Sequence, residues 1–158
     1  MKFPEKLSVT VSDVDSGDPL DKIAVIVRFF ATRKNDYSVV PQLTNELGEV
    51  EITKADCEFS IEQAQKMFLM DYAGDLSACR PVIELGLLPP ENIAVMLEQY
   101  KTSPNFWSLG FKKPESYFAA LHMAKNAEYL HEPVTLTEEE LSASPRVSLK
   151  LRKRRPQR

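Results

Sequence analysis

Histidine, cysteine, glycine and tryptophan are all scarce in this chain of 158 residues, which holds two, two, five and one of them. Each shortage removes a class of chemistry. With only His122 and His131, imidazole acid–base work at neutral pH has little to draw on. No His-x-x-x-His pair or Cys/His cluster has metal-ligand spacing. Cys57 and Cys79 make no Cys-x-x-Cys pair and read as two free thiols in a reducing compartment. The scattered glycines supply no phosphate loop, no Gly-x-Ser-x-Gly elbow and no dinucleotide fingerprint, so no cofactor is implied. Long apolar runs are missing too. Ile23–Val27, closed by Arg28, is far short of the ~20 residues of a membrane helix. The opening Met-Lys-Phe-Pro-Glu-Lys lacks a secretory signal's apolar stretch. A cytoplasmic location with no membrane span is the expectation.

What is present is ordinary for a globular domain: 43% apolar residues and 27% charged. The net charge of −3 conceals an asymmetry. Seven basic and no acidic residues lie between Arg146 and Arg158, so residues 1–145 carry −10. An acidic body of that kind does not look like a nucleic-acid-binding domain, which shows a basic face.

The first half has the two-residue period of strands. Leu7, Val9 and Val11 alternate with Ser8, Thr10 and Ser12, and Ile23–Phe30 is rich in β-branched and aromatic residues. Turn formers crowd Asp13–Leu20, Lys34-Asn35-Asp36 and Asn45–Gly48. Tyr37, Val39 and Leu43 fall between the last two, and Glu49–Ile52 follows as a short strand. Thr53, with Asp56 three residues on, predicts a helix to about Met67. Phe68–Tyr72 then reads as a strand in a hairpin with Pro81–Leu88. Pro89-Pro90 marks the clearest internal boundary. Ile93, Met96, Leu97 and Tyr100 keep the spacing of an amphipathic helix, and Pro114 opens another, expected to end near Tyr129. Thr102–Lys113 between them reads as a loop. Thr137 and Glu140 have capping-box spacing, and Val147, Leu149 and Leu151 alternate as in a last strand or a disordered arm. The resulting fold class is α+β: a small antiparallel β-sandwich with an inserted helix over 1–89, a helical segment packed on it over 90–145, and a basic tail over 146–158.

Asp13, Ser16-Gly17, Pro19-Leu20 and Ile23-Ala24-Val25, followed by Thr44–Ile52 with its Asn45–Gly48 turn, resemble the opening of transthyretin-like and carboxypeptidase-regulatory-like β-sandwich domains. The likeness covers residues 8–52. It implies a module for adhesion, folding support or partner binding. The hydrolytic branch of that family carries a histidine near its first strand and a C-terminal Tyr-Arg-Gly-Ser; this chain has neither, and that activity is not carried over.

Three candidate sites follow from the residues. Asp13, Asp15 and Asp18 suggest calcium, but Asp18 and Ala24 stand where a helix–loop–helix calcium site needs glycine and a bidentate glutamate. A looser site between sandwich loops, with Asp21, would serve a small metal-dependent hydrolase; a solvated turn is the plain alternative. Asp71 and Asp75 read as a turn device, and Glu138–Glu140 as a helix start. Phe106, Trp107 and Phe111, with Leu109, either plug the space between helices and sheet or form a docking surface for an unidentified protein partner, the plug being the commoner fate. Arg152, Lys153, Arg154 and Arg155 offer a clamp for RNA or another acidic partner, against the plainer reading of a solvated terminus. The function expected is non-enzymatic binding as an accessory module, with nucleic acid not favoured.

Overall fold

The computed structural model describes residues 1–31 and 36–157. Among the described residues nine strands and five α-helices follow one another: β1 (Lys6–Asp13), β2 (Ala24–Phe30), β3 (Tyr37–Ser38), β4 (Gln42–Leu43), β5 (Glu49–Thr53), α1 (Lys54–Asp71), β6 (Val82–Leu87), α2 (Pro90–Thr102), α3 (Pro104–Trp107), α4 (Pro114–Leu121), β7 (Tyr129–Leu130), β8 (Val134–Thr137), α5 (Glu138–Ala143) and β9 (Arg146–Lys153), with a 3-10 turn at Asn126–Glu128. The strands form two sheets. One runs β5-β1-β9-β7, the other β3-β2-β6-β8 with β4 also on β2. The class is the expected α+β, sandwich-like, with one departure from antiparallel pairing: β1 and β9 are parallel.

Alternation decides which faces meet. Leu7, Val9 and Val11 of β1 and Leu149 and Leu151 of β9 are almost wholly buried, whereas their neighbours face solvent. Opposite them, Val25, Val27, Phe29, Ile83 and Leu85 of the second sheet complete the inter-sheet core. The second sheet is also covered on its other side. Ala24 and Ile26 of β2 point away from the first sheet, into a smaller cluster with Phe118 and Leu121 of α4 and partly buried residues of α2. Both faces of β2 are therefore apolar, which explains the near-continuous apolar run Ile23–Val27.

Helix α1 closes the sandwich, sending Cys57, Ile61, Ala64 and Phe68 into the inter-sheet core. Its start is the expected one. Thr53 and Asp56 form a reciprocal capping box. Its end is not, because Phe68–Tyr72 continues the helix to Asp71 instead of forming a strand. Phe68 extends the buried stripe of Ile61 and Ala64, and a short apolar run has no period of its own to say so. The chain leaves the helix through Ala73 and Gly74, at φ of 51° and 82°. In place of the hairpin with Phe68–Tyr72, β6 pairs with β2 and β8.

Other expectations shift at the helical layer. Thr102–Lys113 contains the short α3, and α4 ends at Leu121, not near Tyr129. Beyond α4 the backbone is taken over by tertiary bonds: Lys125 N–H donates to the Lys22 carbonyl at 2.8 Å, and the buried Asn126 clamps β2. Of the turn expected at Lys34-Asn35-Asp36, the first two residues lie outside the described residues. Of the two readings of residues 147–151, the last strand is the one formed: within the expected basic tail 146–158, Arg146–Lys153 is β9, because Val147, Leu149 and Leu151 alternate into the core.

Candidate functional site

The aromatic segment after α2 is built on a packed base. The Tyr100 ring stacks on Phe118 at 4.3 Å and 6°, and Trp107 meets Phe118 edge-on at 5.4 Å and Phe111 at 5.6 Å. Proline at the first helical position of α2, α3 and α4 sets the three segments that carry these rings. Trp107 and Phe111 are half-buried and belong to the plug; the indole N–H is shielded from solvent without a hydrogen-bond partner. Phe106 and Leu109 project outward, 66% and 72% exposed. The segment divides by residue: Trp107 and Phe111 pack as the favoured plug reading expects, whereas Phe106 and Leu109 depart from it and are exposed.

Across from this surface stands the first half of α1. Phe59 is 46% exposed, and with Leu109, Gly110, Phe111, Lys112 and Tyr117 it lines an open groove of about 410 Å³. Gly110 lies against the Phe59 ring, where a Cβ would be in van der Waals contact at 3.4 Å. Asp56 also lines the groove. Burial pushes its carboxyl up, but bonds from the Thr53 hydroxyl and backbone and from the Gln42 amide, with the Lys112 charge, bring the net shift below the usual carboxylate range. All three bonds go to its Oδ2. Tyr117 is raised by burial and by that carboxylate. Burial pushes the Cys57 thiol up to about 12, so it is no nucleophile at neutral pH. The groove offers apolar contact and hydrogen bonding.

The remaining candidates lie elsewhere. Asp13 Oδ1 accepts from the Asp15 N–H at 2.8 Å and the Ser16 N–H at 3.1 Å, and these bonds hold its carboxyl low. Asp13 is the hinge of a turn, and among the described residues no three His, Cys, Asp or Glu side chains are placed to hold a metal ion. Val14 N–H donates to the Leu151 carbonyl, and Lys153 further lowers the Asp13 carboxyl. The acidic loop and the basic strand end are neighbours. Arg152 and Lys153 pair with Leu130 and Tyr129, and Arg154 N–H donates to the Glu128 carbonyl at 2.8 Å, so only Arg155 of that quartet lies beyond the backbone pairing described. Asp75 caps a local turn by accepting from the Ser77 N–H.

Two residues escaped the sequence. Asn126 is 1% exposed and joins three main-chain groups: its Oδ1 accepts from Ala24 N–H at 2.8 Å, and its Nδ2 donates to the Ala24 and Leu88 carbonyls at 2.9 and 2.7 Å. No local pattern marks such a long-range clamp. His131 was expected beyond a helix end; it lies instead between β7 and β8, with both ring nitrogens shielded and neither in hydrogen-bonding geometry. Burial lowers its pKa, only partly offset by the nearby backbone of Leu85 and Lys150. No family of known proteins, no curated protein and no solved structure matches the chain. Among the described residues no helix is long and apolar enough to cross a membrane.

Proposed function

We propose that this protein is a non-enzymatic binding module of the cytoplasm whose helical layer docks a protein partner through Phe106 and Leu109. The observation that carries the reading is their pairing with Trp107 and Phe111. Phe106 directly precedes Trp107 and Leu109 lies midway between Trp107 and Phe111, so two exposed apolar side chains are carried on a segment anchored in an aromatic cluster and are preorganised by it. Phe59 extends the patch onto α1. Free, buried Cys57 and Cys79 fit a reducing compartment. The likeness of residues 8–52 to transthyretin-like modules points the same way, toward binding.

Calcium-dependent hydrolysis has less support, since Asp13 spends its Oδ1 on the turn. RNA association has less support than a free basic arm would lend it, since Arg152 and Lys153 are strand residues. The test is the double substitution Phe106→Ser, Leu109→Ser. The melting temperature should stay within about two degrees, as for exposed positions generally. Capture of the partner that the wild-type protein retains from host extract should be lost. Retention of the same proteins by both forms would remove the reading.

A further inference from the structure

Strand β9 pairs with β1 over Arg146–Leu151 and with β7 at Arg152 and Lys153. In a parallel ladder, alternate residues direct both backbone groups to the partner strand. Ser8 N–H reaches the Pro145 carbonyl at 3.0 Å and Val14 N–H the Leu151 carbonyl at 2.8 Å, so the odd-numbered residues of β9 serve β1. The even-numbered ones face away, as Arg154 does when it donates to Glu128. On that side β7 pairs only at Arg152 and Lys153. Over Arg146–Leu149, four residues or about 13 Å, no described strand pairs the outward edge, and His131 lies beside the backbone of Lys150 that follows. A groove of about 750 Å³ runs beside it, lined by Ser148, Lys150 and Arg152 of β9 and by Val14, Leu130, His131, Val134 and one carboxylate, Glu132.

We infer that this edge accepts an added strand from a partner, and that the strand is an acidic extended segment in which acidic and apolar residues alternate. Main-chain pairing would supply the affinity and alternate side chains the choice. Arg146, Ser148, Lys150 and Arg152 share one exposed face, so every second residue of an added strand lies beside a basic or hydroxyl side chain. Side chains of the other parity turn toward the half-buried Val134. A second copy of β9 is a poor occupant, because self-pairing sets arginine and lysine against their own kind. The inference concerns a surface separate from Phe106 and Leu109, and the two stand or fall independently.

The probe is a fluorescein-labelled nine-residue peptide of alternating glutamate and valine, titrated by anisotropy against the full chain. Saturable binding is expected. Lys150→Glu with Arg152→Glu, both exposed, should weaken it at least about tenfold and leave the melting temperature unchanged. Ser148→Pro should also abolish it, since it removes an N–H that β1 does not use. A peptide N-methylated at every residue keeps its charges but has no N–H on either edge, and should not bind. Absence of saturable binding, equal affinity for the charge-reversed protein, or equal affinity of the N-methylated peptide would each overturn the proposal. So would tight binding of a single-stranded RNA that displaces the peptide, since that would mark the strand end as a phosphate site.

Discussion

Single buried polar residues hold this fold at its joints. Asn126 satisfies three main-chain groups of β2 and of Leu88 just past β6, at the seam between sheet and helices. Replacing it by alanine leaves the Ala24 N–H and the Leu88 carbonyl without this partner, each worth on the order of 1–3 kcal/mol, while the Ala24 carbonyl keeps its bond from the Leu88 N–H. Asn126→Ala should therefore cost about 2 kcal/mol or more in urea unfolding, and a loss under ~1 kcal/mol would mean that water replaces the amide. His131 supplies a pH dependence whose sign follows from burial. Its pKa is lowered below 6.5 in the folded state, so the unfolded chain takes up a proton first as pH falls. The contribution is fully present above about 6.5 and declines as pH drops from there toward the folded-state value, below which it levels off. Carboxyl groups held low, such as Asp56, act only in more acid solution, below their ordinary 3.8. Melting temperature should thus fall between pH 7.5 and 5.5, and His131→Gln should flatten that fall. An unchanged slope in the variant would locate the titration elsewhere.

Elements were legible where a local pattern coincided with the tertiary environment. The capping boxes at Thr53–Asp56 and Thr137–Glu140 are present, because they are formed by neighbours in sequence. Gly48 is similar: it adopts φ of 69° in the expected Asn45–Gly48 turn, and a Cβ there would strike the Val11 carbonyl. Misreadings fell where packing overrides pattern. Leu69 and Met70 are exposed apolar residues of α1 that imitate a strand, and β8, half-exposed and preceded by a proline, has too weak an alternation to announce itself. The aromatic segment was legible as a feature but not in its division of labour. That division has a stability signature. Trp107→Ala removes a ring from contact with Phe118 and Phe111, and should cost somewhat less than the ~3–5 kcal/mol of a fully buried aromatic. Phe106→Ala, two-thirds exposed, should stay within about 0.5 kcal/mol. Equal losses in the two variants would show that both rings are structural.

At the scale of the whole molecule, the two ends of the chain lie side by side. β1 and β9 pair in parallel from Ser8–Arg146 to Asp13–Leu151, so the connection between them is nearly the entire protein. Such long-range contacts form late and are worth little until the rest is assembled. The basic character of residues 146–158 hides this role in the sequence, since charge on the exposed face of a strand looks like a charged tail when the alternating Val147, Leu149 and Leu151 are discounted. Truncation separates the two descriptions. A chain ending at Pro145 loses three core side chains, Leu149 and Leu151 among them fully buried, and exposes the edge of β1. At roughly 1.5–3 kcal/mol of burial for each of these side chains, the loss rivals the whole stability of a typical domain, about 5–15 kcal/mol. The truncated protein should lack cooperative thermal unfolding and its near-ultraviolet circular dichroism. A chain ending at Arg155 keeps β9 and the Arg154–Glu128 bond, and should melt within about two degrees of the full length. If the chain ending at Pro145 melts cooperatively near the wild-type temperature, β9 is an appendage and the parallel pair contributes nothing to the core.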